Sequence, residues 1–158
     1  MKIIFFLSTL LIMNYAKCAV ADDQEPNRLW NSIADTIDNF DSEALASLLF
    51  IHDGIDHDIL DSALLYSAYN KHDRNQKEMR NIIQELILAG ANINYQDKKT
   101  LDTFLIVLIK NPHSPVALIK TVIELGAPQL KLKNRKGEYP ALLAYKMKKY
   151  KILNLLSA

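Results

Sequence analysis

Residues 79–97 read MRNIIQELILAGANINYQD, and this stretch decides the fold. Met79, Ile82, Ile83, Leu86 and Ile87 fall at i, i+3, i+4, i+7 and i+8, so one face of a helix is apolar and the remainder polar. Gly90 then ends that helix, because glycine enters the left-handed region without the steric cost of a Cβ.

The same arrangement recurs on either side. Gly54, Gly90 and Gly126 are spaced 36 residues apart, each behind an apolar stretch, at residues 45–51, 79–88 and 116–125. The third stretch opens with Ser114 placed as N-cap and Pro115 at the first helical position. Ahead of each lies a further apolar segment, at residues 29–38, 62–70 and 101–110, with another at 139–148 after the last glycine loop. Residues 101–109 are almost wholly apolar, as an inner helix pressed on by neighbours must be. A short helix over residues 150–157 closes the pattern.

Composition agrees with helices. The chain has 158 residues, 49% apolar, 23% charged and 8% aromatic, enough for one globular core and too apolar for disorder. With 4 Gly and 5 Pro it has little turn chemistry, which argues against a sheet-rich sandwich or a glycine-cradled nucleotide fold. The expectation is an all-α chain.

The N-terminus reads as an address. Met1-Lys2 is a short basic start, residues 3–13 are an apolar run, and Ala19-Val20-Ala21 is the small-x-small pattern of a signal-peptidase site. Residues 1–21 are therefore expected to be a cleaved signal peptide and residues 22–158 a single domain, placed in the periplasm or secreted. Asn14 and Lys17 interrupt the apolar run before it reaches the roughly 20 residues of a membrane span. Cys18, preceded by Lys17, does not resemble a lipobox. It is the only cysteine, so the segment from Asp22 onward offers no disulfide, thiolate metal site or thiol nucleophile.

Charge is segregated. Residues 22–73 carry 12 acidic against 2 basic side chains, and residues 74–151 carry 15 basic against 6 acidic. A near-neutral average hides an acidic half and a basic half.

Leu88-Ala89-Gly90-Ala91-Asn92-Ile93-Asn94 followed by Asp97 resembles the ankyrin repeat: leucine, glycine-alanine-aspartate, an apolar residue, asparagine, then a loop aspartate. Glu124-Leu125-Gly126-Ala127 repeats the core of that pattern. The segment from Lys136-Gly137 through Tyr139-Pro140-Ala141-Leu142-Leu143-Ala144 resembles the family's hairpin glycine and its threonine-proline-leucine-histidine-x-alanine opening, with tyrosine for threonine and leucine for histidine. The first copy, Gly54-Ile55-Asp56, is followed by a loop about three residues shorter. The links at residues 70–77 and 111–115 are long. The resemblance covers residues 27–158, about four degenerate repeats. It implies an ankyrin-like solenoid of helix-turn-helix repeats with short hairpin loops, whose tips and inner helices bind another protein.

The residues offer no catalytic alternative: there is no phosphate loop, paired-histidine helix motif or nucleophile elbow, and no cofactor is called for. His52-Asp53, His57-Asp58, Asp61 and His72-Asp73 have the chemistry of zinc ligands. Polar loops of this kind and an acidic surface account for them better, since the histidines alternate between faces rather than sharing one, so no metal is assigned. Lys131, Lys133, Arg135, Lys136, Lys146, Lys148, Lys149 and Lys151 make a basic end. An exported chain does not meet nucleic acid, so anionic lipid, an acidic protein or a solvated face are the readings of that end. Trp30, Ile33, Ala34 and Ile37 share one helical face and read as core, and Tyr66 as core or interface.

The expected binding residues are Tyr69, Tyr95, Asp97, Lys98, Lys99, Arg135 and Lys136, on hairpin tips and the concave side. Tyrosine and arginine supply most of the energy of typical interfaces. The functional expectation is an exported protein-binding module, favoured as an immunity or inhibitor protein neutralising a toxin or enzyme in the envelope. A periplasmic scaffold and a secreted effector of host proteins stay open beside it, as does the oligomeric state.

Overall fold

The computed structural model describes residues 25–52, 54–70 and 75–157. The expected signal peptide 1–21 with Cys18, and Asp22, Asp53, His72 and Asp73, lie outside these residues. The described residues form eight helices: α1 (Glu25–Asp38), α2 (Ser42–Ile51), α3 (His57–Ser67), α4 (Gln76–Leu88), α5 (Phe104–Lys110), α6 (Val116–Gly126), α7 (Pro140–Lys146) and α8 (Tyr150–Leu156). They contain no strand, only an isolated antiparallel bridge between Gln96 and Thr103. The chain is all-helical, and each helix overlaps the apolar stretch that predicts it.

The chain divides into two units, Met1–Asn31 and Ser32–Ala158. The first supplies the opening turns of α1. The second contains the rest of α1 and the other seven helices, and within it helices pack in two ways. Consecutive helices pair, α3 on α4, α5 on α6 and α7 on α8. Each also packs on its counterpart in the adjoining pair: α2 on α4, α4 on α6 and α6 on α8 in one row, α3 on α5 and α5 on α7 in the other. This packing is consistent with a helical repeat.

Burial follows from those neighbours. Three helices surround α5, and Phe104 through Ile109 are all buried, as the uninterrupted apolar run requires. In α4, which also packs on three helices, Met79, Ile82, Ile83 and Leu86 are buried while Arg80 and Gln84 face water, the single stripe its apolar period predicts. Each such aliphatic side chain contributes about 1.5–3 kcal/mol on burial. Ile33 and Ile37 are buried as expected, with Trp30 and Ala34 only partly covered.

Helix starts are local. Asp41 accepts from the Ala44 N–H at 2.9 Å, Asp56 from the Asp58 N–H at 3.0 Å, and Thr103 Oγ1 from the Ile106 N–H at 3.3 Å. That Thr103 cap delays α5 to Phe104, three residues beyond the apolar boundary. Ser114 does not cap α6. The cap position is Pro115, the helix begins at Val116, and Ser114 Oγ is buried without a hydrogen bond among the described residues.

Helix ends show two devices where the sequence suggests one. Gly90 has φ 106°, and the Ala91 N–H donates to Leu86 O while the Gly90 N–H donates to Ile87 O, a Schellman closure. The ends of α1 and α7 close the same way with Phe40 (φ 55°) and Lys148 (φ 56°) in the left-handed position. Gly126 is different: it is the last residue of α6, and the left-handed residue is Ala127, at φ 40° and ψ 57°. A Cβ at 126 would meet Ile93 Cδ1, so any side chain there requires the end of Ile93 to move.

Candidate functional site

The loops between helix pairs carry most of the expected binding residues. Their geometry starts with Asp97, whose carboxylate accepts from the Thr100 N–H at 2.6 Å, the Thr100 hydroxyl at 2.8 Å and the Lys99 N–H at 3.0 Å. The Thr100 N–H, then its hydroxyl, hold the Asp97 carboxyl below the usual carboxylate range. Asp97 thus shapes its own loop, with Leu101 at φ 56° as the turn tightens back toward α5.

The loop before α7 lies against this one. The Arg135 N–H donates to Thr100 O at 2.9 Å, Gln96 Nε2 donates to Lys133 O at 3.0 Å and to Leu101 O at 2.8 Å, and the Gln129 N–H donates to Asn94 Oδ1 at 2.7 Å. The backbones of Lys99, Arg135 and Lys136 are fixed in this way, the last by its N–H on Asn134 Oδ1 at 3.0 Å. Their side chains are exposed and make no hydrogen bond or ion pair among the described residues. Fixed backbones bearing unpaired cations are suited to an acidic partner, since the loop entropy is already spent in the free protein.

The other expected residues divide. Tyr69 is 59% exposed just past the end of α3, and partial burial, then the charges of Asp102 and Asp97, raise the pKa of its hydroxyl. Lys98 does not stand free: its ammonium donates to Asp58 at 3.1 Å, a bond that raises its pKa. Tyr95 is half-buried. Tyr66 donates its hydroxyl to Asp38 at 2.9 Å, which raises its pKa, so it joins α3 to α1 rather than standing open.

A buried polar network runs beneath these loops. Lys110 Nζ donates to both oxygens of Asp102, at 2.6 and 2.7 Å, and Asn134 Nδ2 donates to Asp102 Oδ1 at 3.0 Å and to Glu138 Oε2 at 3.2 Å. Lys146 donates to Glu138 Oε1 at 2.9 Å, and this bond, then the Asn134 amide, lowers the Glu138 carboxyl. Sequence reasoning missed this network. Its signal is an acid eight residues before a lysine, at Asp102 and Lys110 and again 36 residues on at Glu138 and Lys146. Beside it Lys149 Nζ donates to Ile109 O at 2.6 Å and Asn111 O at 3.1 Å, covering carbonyls at the end of α5, and burial lowers its pKa.

The acidic constellation is spread out. His57 Nδ1 lies 3.3 Å from Gly90 O, Asp58 pairs with Lys98, and Asp61 Oδ1 accepts from the Asn92 N–H at 2.6 Å. Among the described residues no three His, Cys, Asp or Glu side chains converge as a metal would require.

A second surface lies on the α2–α4 row. Ala46, Leu49, Phe50, Leu88 and Glu85 line a shallow groove of about 570 Å³, and Phe50 is 88% and Leu88 71% exposed. Ile51, Leu88 and Leu125, all exposed, are spaced 37 residues apart. No helix among the described residues is long and apolar enough to cross a membrane. No protein-family model matches the chain, and no curated protein matches it in sequence.

Proposed function

We propose that the chain is an ankyrin-like solenoid which binds another protein, exported through its N-terminal segment 1–21 to the periplasm, where it neutralises a toxin or enzyme as an immunity or inhibitor protein. The solenoid reading draws support from the two rows of counterpart helices and from side-chain ties between residues 31 to 43 positions apart. The binding reading rests on one observation: the interlocked loops around Thr100 and Arg135 hold the backbones of Lys99, Arg135 and Lys136 in place, and their side chains make no ion pair among the described residues. In this reading Tyr69 and Arg135 are the anchors, the lysines steer an acidic partner, and Asp97 and Lys98 keep the loop in shape. No catalytic step, cofactor or metal is assigned to the chain.

The test is capture from an envelope extract with the chain as bait, followed by affinities of alanine variants at two salt concentrations. Tyr69→Ala and Arg135→Ala are each expected to cost about 1–3 kcal/mol of binding, and Lys99→Ala and Lys136→Ala to slow association mainly at low salt. A specific partner whose affinity ignores all four substitutions would refute the surface.

A further inference from the structure

The α2–α4 groove and the α7–α8 pair are opposite in chemistry. The groove is lined by apolar side chains, Ser47 and one acid, Glu85. Glu85 is the only ionisable side chain lining it and makes no hydrogen bond or ion pair among the described residues. Neither α2 nor α4 has a basic residue in its last turn, so the partial negative charge of both helix C-termini lacks a cation from its own helix. Phe50 and Leu88 stand in water at the groove, an arrangement that marks interaction surfaces on soluble proteins. On the α7–α8 pair Tyr145, Met147 and Tyr150 are exposed, and Lys148 and Lys151 beside them are exposed without an ion pair. These exposed apolar and cationic side chains lie within seven consecutive residues, 145–151.

We infer that the groove is the docking site for a second copy of this chain, which inserts Tyr150 and its neighbours against Phe50 and Leu88 and sets Lys148 and Lys151 against Glu85. The second copy is the occupant because one sequence carries both members of the complementary pair, in apolar character and in sign of charge. The two patches differ, so the contact is groove-to-tail. It closes into a dimer if a two-fold axis lets each copy use both patches, and extends into a chain if not. The contact stands apart from the loops assigned above to an acidic partner, so either can fail alone.

Sedimentation velocity on the full chain across a concentration series tests this. The wild type is expected to gain mass with concentration, and Glu85→Lys to weaken association by about tenfold. Leu88→Glu and Tyr150→Glu change exposed positions, and circular dichroism confirms that each variant is folded. Each is expected to be monomeric alone, and an equimolar mixture to associate, because the mixture contains one intact groove and one intact tail. A wild type that stays monomeric up to about 0.5 mM, at which even millimolar affinity would show, overturns the inference. So does association that survives either substitution, or a mixture of the two variants that remains monomeric.

Discussion

The joint between the start of α3 and the loop preceding α5 is sparse, whereas the joint between the loops preceding α5 and α7 is dense. In the first, Asp61 accepts one backbone N–H from Asn92, His57 sits near Gly90 O, and Lys98 bridges to Asp58 across mostly exposed surface. In the second, three inter-loop hydrogen bonds lie above a buried carboxylate shared by Lys110 and Asn134, and Ile93 packs into the space left by Gly126. What differs is how many polar groups each loop finds on its neighbour, and so how rigidly it can present a surface.

Asp102→Ala tests the dense joint most severely. It strips Lys110 and the 5%-exposed Asn134 of their shared acceptor. Lys110 is partly exposed and regains water, so the expected loss is about 2–3 kcal/mol in urea unfolding. A loss under about 0.5 kcal/mol would mean the network contributes nothing net.

The two glycines sharpen the contrast through their causes. Gly90→Val is expected to cost about 2 kcal/mol, because φ 106° is closed to a β-branched residue whatever stands nearby. Removing the neighbouring ring with His57→Ala should not restore it, even though His57 Cε1 would lie 3.3 Å from the new Cβ. Gly126→Ala is expected to cost about 1 kcal/mol net, the clash with Ile93 outweighing the better helix propensity. Here Ile93→Val should recover much of the loss, since it deletes the methyl in the way. Equal behaviour of the two double variants in thermal melts would erase the distinction.

Acid reaches the dense joint through Asp97. Its carboxyl is depressed in the folded chain, so its contribution is present above the unfolded value of about 3.9 and fades as pH falls through the lower folded value. Thr100→Ala removes the hydroxyl donor and should raise the Asp97 pKa in an NMR titration, flattening the stability profile below about pH 4. An unmoved Asp97 resonance would show that the hydroxyl bond is not made in solution. The smallest effect is expected in the sparse joint: Lys98→Ala should leave the urea midpoint of unfolding unchanged, because 77% and 67% of the paired side chains are exposed.

Much of the helix plan was legible residue by residue. The apolar stripe of α4, the unbroken run of α5 and Pro140 at the start of α7 each encode their element within a few positions, where period and φ preference act. The candidate surface was legible in part. The loops carrying Lys99, Arg135 and Lys136 are adjacent, but Asp97 and Lys98 have partners inside the chain. Tyr66, open between core and interface in the sequence, is tied to Asp38. Ser114 looked like a cap because serine before proline favours one, and the backbone instead begins α6 from Pro115.

By itself the sequence determined that the chain is helical, where the helices lie, and that its charge is split into an acidic and a basic half. These depend on interactions spanning about one helical turn, or on counting, and need no knowledge of what lies opposite. The tertiary structure alone decided why residue 126 is glycine, that Asp102 is buried against Asn134, and that Phe50 and Leu88 border one groove. Those outcomes come from groups some 30 to 40 positions apart, brought together by packing whose register no local preference can specify.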